Sequence, residues 1–126
     1  MFKYSNTDTE EVSRVRFCDK LKVNASTGNV TSSGNFYANS DIRYKNIIKY
    51  LDNLTLEDIA NLPIFDYIWK DSDKKEFSGT SAQDVQKILP NLVEEGSDGK
   101  LSLNYATLGV IASIVVARAL VEWQKK

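Results

Sequence analysis

The C-terminal segment, residues 106–124, most constrains the fold, because it is apolar on nearly every side of a predicted helix. Val110, Ile114, Ala117 and Val121 follow a 4-3-4 spacing. Further apolar residues occupy the neighbouring faces: Leu108, Ile111, Val115 and Leu120. Such a helix is typically buried on several sides. Residues 40–126 are too few to surround it within one chain, so we expect it to pack against copies of itself. The alternative is an ordinary core helix of a monomer.

Composition narrows the classes of function. The 126 residues carry 16 basic and 17 acidic side chains, whereas a nucleic-acid binder normally has a basic excess. The chain has no histidine, and Cys18 is its single cysteine. It therefore cannot form a Ser-His-Asp or Cys-His site, a metal site that needs imidazole, a Cys-rich zinc site or an internal disulfide. The most apolar stretch, residues 110–117, is shorter than the roughly 18 residues of a membrane span, and no signal peptide is visible. We therefore predict a chain that is cytoplasmic, or delivered by a route other than secretion, with no metal, cofactor, nucleic-acid or membrane partner.

Residues 40–126 read as an α+β domain that is mainly α. A helix is predicted from Ile42 to Leu54, with Ser40 or Asp41 as its cap. A second short helix begins near Thr55. Next come a strand over 65–69, a turn over 71–75, a return strand over 76–80 and a helix over 81–89. A last strand is predicted over 101–105, so the domain has one predicted hairpin.

Residues 1–39 form a second, different part of the chain. Strands are predicted at 15–17 and 21–23, a turn at 26–29, and two further short strands at Val30 and at 36–37. This segment has too few large apolar residues for a core of its own. We expect the end of a β-rich stalk that pairs with other chains; the alternative is a floppy N-terminal tail.

The hexapeptide SDIRYK, residues 40–45, is the most specific motif. It resembles the S-D-x-R-x-K opening of the endosialidase-type intramolecular chaperone domain, which closes many phage tail fibres, tailspikes and neck appendages. The resemblance continues through Phe65-x-Tyr67-x-Trp69, Gly79 and the AQDVQ sequence of 82–86, and then through the 101–105 segment and the last helix. It covers about residues 38–126.

The resemblance implies a trimerisation chaperone that releases itself from the fibre segment before it. In that family the serine of the motif cuts the peptide bond on its own N-terminal side, with the lysine as base. Here the cleaved bond lies between Asn39 and Ser40, and the catalytic pair is Ser40 and Lys45. The implied assembly is a homotrimer with Val110, Ile114 and Val121 near the three-fold axis. The implied location is the host cytoplasm during phage assembly, or the virion if the domain stays attached.

A Ser-Lys pair is a chemically reasonable substitute for Ser-His, provided that burial or a nearby positive charge, such as that of Arg43, favours the neutral amine. The spacing makes a structural demand. Residues five apart lie roughly 140° apart on a helix and on opposite faces of a strand. Either Ser40 therefore lies in a turn before a helix, or Lys45 reaches the serine of another protomer.

An alternative stays open for the residues and another for the function. In the first, Ser40 and Asp41 are no more than a helix cap, and Lys45 is a solvated helix residue. In the second, the domain is a permanent trimeric cap on a fibre, or a small virion protein, and no proteolysis takes place. Because family members usually follow a long fibre and only 39 residues precede Ser40, the chain is either an excerpt or a short protein that uses the domain differently.

Overall fold

The computed structural model describes residues 19–70 and 74–126. The chain divides into two compact units, one ending at Asn46 and the other comprising Ile47–Lys126. The described residues form three α-helices and three two-stranded antiparallel sheets, so the α+β prediction is confirmed. The functional division into residues 1–39 and 40–126 stays a prediction.

The first unit contains a hairpin of β1 (Leu21–Val23) and β2 (Val30–Ser32). Its turn is closed by Asn24, whose side-chain oxygen accepts hydrogen bonds from the backbone N–H groups of Ser26 and Thr27. Gly28 takes a φ of +79°, which glycine adopts without steric cost. The predicted strand at 21–23 and the turn are confirmed. The strand predicted at 36–37 is wrong, because those residues are irregular and exposed. The strand predicted at 15–17 and Cys18 lie outside the described residues.

The helix predicted from Ile42 to Leu54 is also wrong. This stretch contains one 3₁₀ turn, Ile42–Tyr44, followed by irregular backbone. Most helical stability in proteins comes from packing an apolar face. Residues 42–53 are all exposed in the single chain, so the described residues do not bury such a face.

The second unit begins with α1 (Leu56–Ala60), which starts at a capping box. The Thr55 hydroxyl accepts from the Asp58 N–H at 3.1 Å, and the Asp58 carboxylate accepts from the Thr55 N–H at 2.9 Å. The chain then forms a hairpin of β3 (Phe65–Tyr67) and β4 (Phe77–Gly79), in which Asp66 lies opposite Ser78. The short helix and the hairpin are both confirmed.

Helix α2 (Ala82–Ile88) confirms the helix predicted over 81–89, and Ser81 is its N-cap. A 3₁₀ turn at Pro90–Leu92 leads into a second hairpin of this unit, formed by β5 (Val93–Glu95) and β6 (Leu101–Leu103). The prediction of one hairpin missed this pair. The sequence does not predict strand β5, because Val93 is followed by two glutamates and the apolar–polar alternation typical of a strand is missing.

Helix α3 (Tyr105–Gln124) confirms the long C-terminal helix. Val85 and Leu89 of the α2 region form a buried cluster with Leu108 of α3. Partly buried apolar side chains surround this cluster: Leu54, Leu62, Ile88, Leu92, Val93, Leu103 and Ile111. The core therefore holds one side of α3 against α2 and the second hairpin.

The two sides of α3 differ sharply in exposure. Leu108 and Val115 are each 9% exposed and lie on one side. Val110, Ile114 and Val121 are 59%, 45% and 50% exposed. At about 100° of rotation per residue, these three lie together on the opposite side of the helix. Their burial at a trimer axis stays a prediction.

Helix α3 is also long and apolar enough to cross a membrane, judged by length and composition alone. The prediction of no membrane partner rested on the length of the apolar run 110–117. The longer helix has a mean hydropathy of 1.7 over an 18-residue window. One such helix is weak evidence, because core helices of soluble proteins pass the same test.

Candidate functional site

Ser40 and Lys45 meet within one chain. The Lys45 Nζ donates a hydrogen bond to the Ser40 Oγ at 2.7 Å. Ser40 precedes the 3₁₀ turn and Lys45 is its C-terminal cap, so the two side chains come from opposite ends of a three-residue turn. Of the two arrangements that the five-residue spacing allows, the structure has the one in which the serine lies before a helical turn.

Local backbone conformation brings the pair together. Asp41 and Lys45 are extended, with φ and ψ of −76° and 119°, and of −111° and 135°, on either side of the turn. The Tyr44 N–H donates to the Asp41 carbonyl and the Lys45 N–H to the Ile42 carbonyl, both at 3.1 Å. Two extended residues joined by a tight turn return the chain toward its starting point, which a longer α-helix would not do.

The Asp41 carboxylate holds this turn from inside the motif. Its Oδ1 accepts from the Arg43 backbone N–H at 3.0 Å, and the predicted capping role therefore falls to Asp41. The same carboxylate accepts from the Arg43 guanidinium, through Nε at 3.1 Å and Nη2 at 2.7 Å. The Arg43 guanidinium also lies 5.8 Å from the centre of the Tyr44 ring, within cation–π range.

Electrostatics couple Asp41 and Arg43. The Arg43 side chain, and then its backbone N–H, lower the pKa of the Asp41 carboxyl below its usual value. The carboxylate in turn raises the pKa of Arg43. Because Asp41 offsets the charge of Arg43, this arginine is a weak source of the positive charge that would favour a neutral Lys45. Removal of the pair from water is the stronger candidate.

The arrangement supports one simple chemical step. A neutral lysine amine in contact with a hydroxyl can take its proton and so make the oxygen nucleophilic. The peptide bond between Asn39 and Ser40 is attached to that same serine, so the target carbonyl is supplied by the chain itself. Ser40, Lys45 and Asn39 are all exposed in the single chain.

The aromatic side chains of the β3–β4 hairpin pack mainly against one another. Tyr67 stacks on Phe77, with ring centres 5.7 Å apart, and makes edge contacts with Phe65 and Trp69. Tyr67 is half-buried, whereas Phe65 and Trp69 are 41% and 57% exposed. The rings therefore pack on one another at the surface of the hairpin.

A groove of about 880 Å³ in the second unit was not predicted. It lies between α1, the β3–β4 hairpin and the start of α3, and Ile59, Phe65, Tyr105 and Leu108 are among its lining residues. No sequence signal marks it, because its walls come from three elements that are distant in the chain. The pairing of Asp41 with Arg43 was also missed, although opposite charges two residues apart in the motif are a visible cue.

Comparison with known proteins agrees with the motif. A family model described as the chaperone of endosialidase matches residues 40–94. The match begins at Ser40 and includes Lys45, both strands of the β3–β4 hairpin and helix α2, while helix α3 lies beyond it. No curated protein matches the chain. Residues 40–94 therefore resemble the chaperone domain of endosialidase, as the motif predicts.

Proposed function

We propose that this chain is a trimerisation chaperone at the C-terminus of a phage tail fibre or tailspike, and that it releases itself by cutting the bond between Asn39 and Ser40. The observation that carries the proposal is the 2.7 Å contact between the Lys45 Nζ and the Ser40 Oγ, at the start of the residues that match the chaperone family. Ser40 is the nucleophile and Lys45 the general base.

The reaction proceeds in two stages. The neutral Lys45 amine takes the proton of the Ser40 hydroxyl, and the Oγ attacks the Asn39 carbonyl carbon. The bond from that carbon to the Ser40 nitrogen breaks, and the nitrogen leaves as an amine after accepting the proton from Lys45. Water then hydrolyses the resulting ester. The products are an Asn39 carboxylate and a chain that begins at Ser40. Attack on the adjacent carbonyl is intramolecular, which gives a high effective concentration.

Assembly supplies what the single chain lacks. The pair is exposed in the single chain, whereas a general base must be a neutral amine, a form that removal from water favours. Neighbouring protomers, or the fibre segment that precedes Ser40, would exclude water from the pair and favour the neutral form. Cleavage is therefore linked to completed assembly, so that the chaperone leaves only a fibre that has already formed.

The exposed side of α3 supports self-association. Val110, Ile114 and Val121 present a continuous apolar stripe on the side of the helix away from the core. In a homotrimer this stripe lies near the three-fold axis and is removed from water. The trimer then holds three preceding fibre segments side by side and in register, which is the chaperone function.

A time course of intact mass tests the proposal. The purified parent chain should convert to fragments of residues 1–39 and 40–126. Ser40→Ala should stay intact while it assembles normally, because only the nucleophile is lost. Ser33→Ala, a matched removal of an exposed serine, should be cut at the parent's rate. A parent that is folded and trimeric but stays at full length for days would contradict the proposal and indicate a permanent structural cap.

A further inference from the structure

We infer that Asp41 and Arg43 are positioning residues, whose contact holds Lys45 against Ser40. The inference rests on the proposed cleavage reaction, because it assigns these residues a role in that chemistry. Neither side chain contacts the Ser40 hydroxyl or the Lys45 amine in the hydrogen bonds that the described structure contains. They act through the turn that separates the two catalytic groups.

The first step of the argument is the geometry of the turn. One carboxylate accepts three N–H groups of a single residue: the Arg43 backbone N–H at 3.0 Å, its Nε at 3.1 Å and its Nη2 at 2.7 Å. The backbone contact starts the 3₁₀ turn, and the fork of the guanidinium ties residue 43 back onto residue 41. The two backbone hydrogen bonds that close the turn, from the Tyr44 and Lys45 N–H groups, then fix the backbone position from which the Lys45 side chain extends.

The second step is the lack of packing in this part of the chain. Every residue from 33 to 53 is exposed, and none of the turn residues is buried. Packing by the single chain therefore does not set the conformation of the turn. Local hydrogen bonds set it. Apart from the contact between Lys45 and Ser40 itself, the side-chain hydrogen bonds that the described structure has within residues 40–45 are those of the Asp41 carboxylate with Arg43.

The third step concerns reactivity. A misplacement of about 1 Å in a reacting group can cost about a hundredfold in rate. Without the Asp41 contact, the turn can open. The backbone of Lys45 is then no longer held in place, and its flexible side chain is not directed toward Ser40. Loss of the contact should therefore lower the rate of cleavage without changing the chemistry of the amine or of the hydroxyl.

Graded variants separate the two contacts. Asp41→Asn keeps an oxygen that can accept the Arg43 backbone N–H but loses the ion pair, and we expect cleavage about tenfold slower. Asp41→Ala loses both contacts, and we expect about a hundredfold. Arg43→Gln should resemble Asp41→Asn. Asp52→Asn and Lys49→Gln, matched changes of exposed charges outside the turn, should be cut at the parent's rate. Trimer content is measured in every sample, so that loss of assembly is recognised.

The pH profile distinguishes positioning from a direct electrostatic effect. If Asp41 and Arg43 position Lys45, their variants lower the plateau of the cleavage rate and leave the midpoint of its pH dependence unchanged. If Arg43 acts by its charge on Lys45, Arg43→Gln moves the midpoint, whereas Arg43→Lys restores it. Parent-like rates in Asp41→Ala, or a moved midpoint with an unchanged plateau, would overturn the inference.

A second measurement does not depend on cleavage. In the Ser40→Ala background, backbone amide exchange at Tyr44 and Lys45 reports whether the turn is closed. Adding Asp41→Ala should accelerate exchange at both amides, since their hydrogen bonds to Asp41 and Ile42 belong to the turn. Unchanged exchange would overturn the positioning role even if the parent cleaves. A parent that does not cleave would overturn the proposed function, while accelerated exchange would still support Asp41 as the residue that closes the turn.

Discussion

At the scale of single residues, substitutions of Lys45 are the most direct test of the proposed catalytic pair. Lys45→Arg keeps the positive charge and much of the length of the side chain, but a guanidinium does not release its proton at working pH. Lys45→Ala removes the amine altogether. We expect both variants to assemble and to show no cleavage in the intact-mass assay.

Lys49→Arg serves as the matched control, because Lys49 is exposed and has no place in the pair. It should be cut as the parent is. For the parent, cleavage should slow as the pH falls, because a protonated amine cannot accept the serine proton. Full activity of Lys45→Arg would remove lysine from the mechanism.

The Asp41 carboxyl provides an independent prediction of pH dependence. The Arg43 side chain and backbone N–H lower its pKa in the folded chain. A lowered pKa means that the contact stabilises the turn above the ordinary aspartate value of about 3.9, and that this stabilisation is lost as the pH falls through the lowered value. Carboxyl ¹³C NMR should show Asp41 titrating at a lower pH in the parent than in Arg43→Gln. Identical titration curves in the two proteins would show that Arg43 does not hold the carboxylate.

At the scale of elements, the end of β4 lies close to the start of α3. The Tyr105 hydroxyl accepts from the Thr80 N–H and donates to the Thr80 carbonyl, each at 3.3 Å. A Cβ on Gly79 would lie 2.5 Å from that hydroxyl oxygen and 3.5 Å from a ring carbon of Tyr67. The hairpin can therefore reach the helix because residue 79 has no side chain.

Gly79→Ala should consequently destabilise the fold, by about 1–3 kcal/mol, the usual cost of overpacking. Thermal unfolding followed by circular dichroism measures it. Gly109→Ala is the matched control, because a Cβ there meets nothing within 4 Å. It should stabilise the chain by about 0.4–1 kcal/mol, since alanine loses less backbone freedom on folding. The double variant with Tyr105→Phe should recover part of the Gly79→Ala loss, and no recovery would place the strain elsewhere.

At the scale of the whole molecule, the exposed stripe of α3 predicts assembly. Ile114→Asp places a charge in a seam that the trimer would remove from water, and an unpaired buried charge is strongly unfavourable. Sedimentation equilibrium should show a trimer for the parent and for Ile114→Val, and a monomer for Ile114→Asp. A parent that stays monomeric at micromolar concentration, or that partitions into lipid vesicles, would show that the stripe serves another purpose.

Much of the local structure could be predicted from sequence because its signals are local. Ser81 and Thr55 cap the helices that follow them, and the residues between β1 and β2 form the predicted turn. The long apolar run of α3 and the SDIRYK motif could likewise be recognised. The motif and the segments that follow it in order indicated the resemblance to the chaperone family whose model matches residues 40–94. These features depend on side chains within a few positions of each other.

The tertiary structure decided what depends on distant contacts. It showed that residues 42–54 do not form a helix. Apolar residues at helical spacing stabilise a helix only where another element covers the apolar face that they form. It also showed which side of α3 packs on the core, since Leu108 is buried with Val85 and Leu89, which are distant in sequence. The meeting of Ser40 and Lys45 lies between the two cases. Their spacing excluded a regular element, but only the folded turn showed that one chain brings both groups together.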